Sequence, residues 1–155
     1  MGRLSHLDEN GRARMVDVSA KPDTERLAMA EALVHMEPET IARLFGGDLP
    51  KGDALAVARI AGIQAAKKTA ELIPLCHPLS ITLVEIDIVQ VDEGARITTR
   101  VGTTGPTGVE MEALTAASVA ALSLYDMVKG VERGVEIASV RLIEKSGGRS
   151  GPWTR

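Results

Sequence analysis

Aromatic residues are almost missing from this 155-residue chain: one Trp, one Tyr and one Phe, 2% of the total. A core must therefore be built from Ala, Val, Leu, Ile and Met, which bury modest area per residue; oligomerisation is one way to bury more. Cysteine is nearly absent too. Cys76 stands alone, which excludes an intrachain disulfide and fits a reducing cytoplasm. There is no basic tract, the formal net charge is −3, and stacking aromatics are scarce, so nucleic-acid binding is not expected. No apolar run reaches the ~18 residues of a membrane span, because Glu110, Glu112 and Asp126 interrupt the best candidate. The opening "MGRLSHLDENG" lacks the apolar stretch of a secretory leader, and His6 stands where myristoylation requires Ser or Thr.

What is present is ordinary globular composition, 45% hydrophobic and 25% charged. At this length one domain is expected, burying roughly 70% of its unfolded surface, with residues 1–14 and 146–155 flexible. "RMVDVSAK" alternates weakly. "RLAMAEALVHM" has a helix former's composition, yet Ala28, Ala30, Ala32, Val34 and Met36 recur at period two, and a strand is preferred. "EPETIARLFGG" reads as a short helix from Pro38 to the Gly46–Gly47 stop. "KGDALAVARIAGIQAAKKTAELI" reads as one long helix ended by Pro74, with a row through Leu55, Arg59, Gly62, Ala66 and Ala70.

"SITLVEIDIVQVD" alternates as a strand with a phase change near Leu83, and "EGARITTRVGTTG" is its returning arm. "TGVEMEALTAASVAALSLYDMVKGV" is the second long helix. Thr107 and Glu110 match a capping box, and its apolar stripe runs Leu114, Ala117, Ala121, Tyr125, Val128. "VEIASVRLIEKS" closes the set, before a flexible-looking "GGRSG". Strands, hairpin and helices in this order predict an α+β sandwich with the helices on one face of the sheet.

Chemistry-bearing residues are few. In "ELIPLCHPLSIT", Cys76 and His77 lie between two prolines. A plain structural loop explains them; a rigid edge held against a ligand is the functional alternative. Asp126 and Lys129 are three apart on the second long helix. They are either a surface ion pair or, if burial moves both pKa values toward neutrality, a proton donor–acceptor couple. Glu110 and Glu112 favour the positive end of the same helix. Lys51 sits before the first long helix, where a cation is electrostatically misplaced unless an anion is near. Lys145 and Arg149 flank glycines that could close over phosphates, although no Walker pattern exists. With Arg26, these cations suit an anionic small molecule. No metal-ligand spacing is present.

Three stretches, "KGDALAVARIAGIQAAKKTAELIPLCHPL", "TGVEMEALTAASVAALSLYDMVKG" and "KSGGRSG", resemble in order the hallmark segments of the cyclic pyranopterin monophosphate synthases of molybdenum cofactor biosynthesis, the MoaC-type proteins. The likeness runs from "MVDVSAK" to "KSGGRSG". It departs at Arg149, where a lysine often stands, and in the short "PWTR" ending. The resemblance implies a ferredoxin-like antiparallel sheet with two long helices on one face, in a cytoplasmic homohexamer of three dimers with sites between subunits. It implies that 3′,8-cyclo-7,8-dihydroguanosine 5′-triphosphate is converted to cyclic pyranopterin monophosphate with loss of pyrophosphate. It makes Asp126, Lys129 and Lys51 catalytic, and assigns Leu75, Cys76, His77, Met111, Glu112, Arg26, Glu110 and Lys145 to substrate binding. No cofactor is implied beyond Mg²⁺ that the triphosphate can carry. The rival class is a non-catalytic phosphate-ligand-binding regulatory module, which would need the cations but not Asp126.

Overall fold

The computed structural model describes residues 6–155; residues 1–5, on which the readings of the leader and of the first flexible segment partly rest, lie outside it. The chain runs β1 (Thr24–His35), α1 (Pro38–Gly46), α2 (Ala54–Lys67), α3 (Thr69–Leu72), β2 (Ile81–Val91), β3 (Gly94–Gly105), α4 (Glu110–Val128), β4 (Glu136–Ser146) and β5 (Trp153–Thr154). The strands form one antiparallel sheet in the order β2-β3-β1-β4-β5. The first four strands with α2 and α4 give the expected ferredoxin-like α+β arrangement.

Period-two alternation wins over helix propensity in β1. Ala28, Ala30, Ala32 and Val34 all point to the helical layer, each at most 1% exposed. They face Val101, Thr99, Ile97 and Ala95 of β3 in register. The phase change near Leu83 is a true irregularity, a register shift between Ile81 and Leu83. Gly47 ends α1 in the left-handed region at φ 75°, its N–H returning to the helix's last carbonyls.

Small residues make the helical layer thin. α4 lays Ala113, Ala116, Ala117, Ala120, Ala121 and Leu124 on the sheet and on α2, all of them fully buried. A Cβ on Gly62 would meet Ala116 O at 3.0 Å and the Ala120 methyl at 3.1 Å and would displace the tip of Ile86, so glycine allows this close crossing without adjustment. Thr99 Oγ1 donates 2.8 Å to Ala113 O, tying α4 to the centre of the sheet. By length and composition α4 does reach the range of a membrane span, contrary to the reading of its acids, but more than half of that stretch is buried inside the protein.

Three local expectations are corrected. The long first helix breaks at Lys68 (φ −108°, ψ 9°), where Thr69 Oγ1 donates to Ala65 O and Ala66 O and a single turn, α3, follows. The buried face of α2 is Ala54, Ala58, Gly62, Ala65 and Ala66. It is rotated from the predicted row because Arg59 turns aside to donate to Ile86 O. Thr107 and Glu110 form no capping box: Val109 is the N-cap of α4, without a side-chain bond.

Candidate active site

Two clusters of the singled-out residues form, one at each end of α4. The N-terminal cluster is a cleft. Pro74 sits second in a four-residue turn whose Cys76 N–H donates 3.1 Å to Ile73 O, which suits proline's fixed φ. That turn brings Leu75, Cys76 and His77 against Met111 and Glu112 around a cavity of about 410 Å³. The "PLCHP" loop is therefore a preformed wall. His77 Nε2 lies 2.6 Å from Val16 O. A carbonyl can only accept, so Nε2 carries the proton and the ring holds the Val16–Lys21 segment across the cleft.

Glu112 is 4% exposed. Burial, with nearby Glu110 adding to it, pushes its carboxyl pKa above the ordinary value. Cys76 is likewise raised by burial and by Glu112, which favours the thiol over the thiolate. Cys76 thus suits a wall better than a nucleophile.

A second lobe of about 460 Å³ continues from the first, sharing Lys21, Thr107, Gly108 and Glu110. Arg26 and Arg149 line it. Arg26 is partly committed, with Nε 3.2 Å from Gly105 O and Nη2 3.1 Å from Pro106 O. Lys145 is paired with Glu110 at 2.9 Å, both half-buried, and donates to Ser150 Oγ. Gly147 and Gly148 have φ of 90° and 74°, and side chains there would collide with Glu25 O and Arg26. The glycine segment is therefore packed on Arg26 at the rim of this lobe. The end of the chain returns as β5, and Arg155 Nε donates to Leu142 O at 2.8 Å.

At the other end, Lys51 Nζ donates to Asp126 O at 2.7 Å and pairs with Asp126 Oδ2 at 3.0 Å. Lys129 Nζ lies 2.7 Å from Asp126 Oδ1. The hydrogen bonds from Lys129 and then Lys51 hold the Asp126 carboxyl below its ordinary pKa, and the Asp126 bond holds Lys129 above its own. The condition set for a proton couple is thus not met in the single chain. The three side chains are about half exposed, and their pKa values move apart.

α4 is continuous from Glu110 to Val128, so Glu112 and Asp126 lie about 21 Å apart along its axis. The structure gathers Leu75, Cys76, His77, Met111, Glu112, Glu110, Arg26 and Lys145 at one end, and Lys51, Asp126 and Lys129 at the other. It also adds Lys21 and Val16 to the first group. Their stretch, "MVDVSAK", carries only weak alternation, and its one signal was that the family likeness begins there. Among the described residues no group of three potential metal ligands occurs.

The sequence profile of the MoaC family matches residues 15–148. The chain belongs to the MoaC family. Its relatives include the cyclic pyranopterin monophosphate synthase of Thermomicrobium roseum, 58% identical over all of this chain and 95% of that protein. The protein of that name from Roseiflexus castenholzii is 59% identical over 97% of each chain. The one from Brucella ovis is 55% identical over 98% of this chain and 93% of its own. The MoaC match spans both clusters and stops at Gly148, so β5 lies beyond it.

Proposed function

We propose that this chain is a cyclic pyranopterin monophosphate synthase. It would convert (8S)-3′,8-cyclo-7,8-dihydroguanosine 5′-triphosphate to cyclic pyranopterin monophosphate and pyrophosphate in molybdenum cofactor biosynthesis. The observation that carries the reading is full-length identity of 55–59% to proteins of that name, with each residue expected from the resemblance present.

The geometry supports a division of labour. The apolar wall of Leu75, Cys76 and Met111 suits the heterocycle, and the lobe lined by Arg26 and Arg149, with Lys145 bonded to its lining residues Glu110 and Ser150, suits the triphosphate. In the last step a substrate hydroxyl oxygen attacks the α-phosphorus. The bond to the β-phosphate bridging oxygen breaks, and pyrophosphate leaves with the electron pair. Preorganised ammonium and guanidinium groups stabilise the charge that develops. Glu112, whose pKa burial raises, would hold or give up a proton beside the heterocycle, while Asp126 with Lys129 and Lys51 supplies a base and cations. Any Mg²⁺ enters with the triphosphate, as the protein offers no clustered ligand set among its described residues.

Such a division requires the two clusters to meet, and a rigid 21 Å separation forbids it within one chain. We therefore take the working unit to be a symmetric dimer, three to a hexamer, in which Glu112 of one subunit and Asp126 of another face the same substrate. Enclosure by a second subunit would also remove water from Asp126 and Lys129, the desolvation their proton exchange needs. A lone cysteine fits the cytoplasm as its location.

The direct test is incubation of the pure protein with the cyclo-dihydroguanosine triphosphate. Stoichiometric pyrophosphate and cyclic pyranopterin monophosphate are expected. Tight binding without turnover would instead make it a phosphate-ligand-binding module.

A further inference from the structure

The end of the chain is anchored although nothing in the core asks for it. Trp153, the one tryptophan of the sequence, is 40% exposed, and Arg155 is exposed too, so neither holds the fold by burial. Yet β5 is tied to the edge of β4 through its neighbour Arg155. The Arg155 N–H donates 2.9 Å to Ile143 O, and its Nε donates 2.8 Å to Leu142 O. The same guanidinium lies 5.7 Å from the centre of the Trp153 ring, a cation held over an aromatic face. Among the described residues β4 has no other strand on this edge, since β1 takes its opposite side.

What this anchor holds is the glycine hairpin between the two strands. Gly147, Gly148 and Gly151 take φ of 90°, 74° and 66°, and the Gly151 N–H reaches Gly148 O at 3.4 Å. On one side the hairpin lies so close to Glu25 O and the Arg26 guanidinium that no Cβ fits at Gly147 or Gly148. On the other, Trp153 pairs with Lys145 and Thr154 with Glu144. Directly opposite residues of an antiparallel pair point to the same face, so the Trp153 ring stands beside the Lys145 side chain. Lys145 in turn donates to Glu110 at 2.9 Å and to Ser150 Oγ at 3.2 Å. Arg149 and Ser150, which line the second lobe, are therefore held between two fixed ends. A loop fixed at one end only loses more freedom when it closes on a ligand.

We propose that Trp153 and Arg155 are positioning residues: together they clasp the chain end to β4 and so preorganise Arg149 and Ser150 over the second lobe. They act through the hairpin rather than on the ligand. The clasp itself follows from the contacts of β5, whereas a polyphosphate as the ligand it prepares for rests on the proposed function. Preorganisation of this kind strengthens binding of substrate and transition state alike. Loss of the clasp should therefore weaken affinity and leave the bond-making step almost untouched.

The test uses the full chain with trypsin and with inorganic tripolyphosphate, neither of which needs turnover. Trypsin, cutting after Arg149, should release residues 150–155 slowly from the parent. Release should be about fivefold faster or more from Trp153→Ala and from Arg155→Ala, because cleavage follows the opening of the segment. Both variants should weaken tripolyphosphate about threefold to tenfold by calorimetry. Trp153→Ala changes no charge, so its loss does not come from a missing cation. Trp153→Tyr keeps a ring under the guanidinium and should behave like the parent. Since the two residues make one clasp, the double variant should lose little more than the worse single one. In turnover, KM should rise several-fold with kcat within about twofold of the parent. Circular dichroism confirms that each variant is folded. Unchanged trypsin release in both folded alanine variants overturns the clasp. Faster release with unchanged tripolyphosphate affinity overturns its positioning role. Clasp-dependent tripolyphosphate binding by a chain that makes no pyranopterin product leaves the clasp in place and removes the proposed reaction instead.

Discussion

The two ends of α4 place acids in opposite circumstances. Glu112 at the start is buried, with no cation bonded to it among the described residues, and its pKa rises. Asp126 near the end is exposed between two ammonium groups, and its pKa falls. One helix therefore presents two carboxyls whose pKa values are pushed in opposite directions, about 21 Å apart along its axis. The contrast is what the proposed pairing of the two ends across subunits rests on. Each end lacks what the other has.

The comparison breaks most visibly at the exposed end. Lys51→Ala, Lys129→Ala and Asp126→Asn should each lower turnover about 100-fold or more, the usual scale for losing a charge-stabilising group. None should measurably shift the unfolding midpoint, because exposed ion pairs contribute little. Tripolyphosphate should still bind the Asp126→Asn protein. Near-normal turnover in any of these variants would remove that residue from the site.

Packing between the two ends is the next point of attack. Gly62→Ala should destabilise the protein by about 1–3 kcal/mol in chemical denaturation, since the new methyl has only Ile86, Ala116 and Ala120 to displace. An unchanged midpoint would mean that the α2–α4 crossing is looser than described.

At the buried end, Glu112→Gln tests the raised pKa. A carboxyl whose folded pKa exceeds its unfolded value favours folding when protonated, and that contribution is lost as pH rises through the folded pKa. The Gln variant should therefore gain stability over the parent at neutral pH, the gain vanishing as pH falls below the ordinary value of 4.5. A constant difference at all pH values would contradict it. The smallest effect is expected at Cys76. Cys76→Ala and Cys76→Ser should keep activity within about tenfold, since a raised thiol is a poor nucleophile. Complete loss in both folded variants would reinstate covalent chemistry.

Much of the fold was legible because its signals are local. Alternation in β1, Gly47 and the irregularity at Leu83 each need only neighbours in sequence. The corrections come from tertiary partners. Lys145, 35 residues away in sequence, takes Glu110 from the capping box, and Ile86 turns Arg59 aside. Residues of the site could be named through their family resemblance, and the fourteen positions between Glu112 and Asp126 already set two of them apart on one helix; which residues from other elements join each end depends on tertiary partners. Lys21 lies in the stretch where the family likeness begins but was not singled out, because its segment is placed by His77, far along the chain.

Complementation between the two ends tests the central claim most directly. Glu112→Ala and Asp126→Ala proteins, each inactive alone, are unfolded and refolded together. A mixed dimer would hold one doubly damaged site and one intact site, and random pairing makes about half the dimers mixed. Roughly a quarter of wild-type activity should therefore return. No recovery, with mixed oligomers verified by native mass spectrometry, would contradict the claim that the two ends of α4 meet across a two-fold interface.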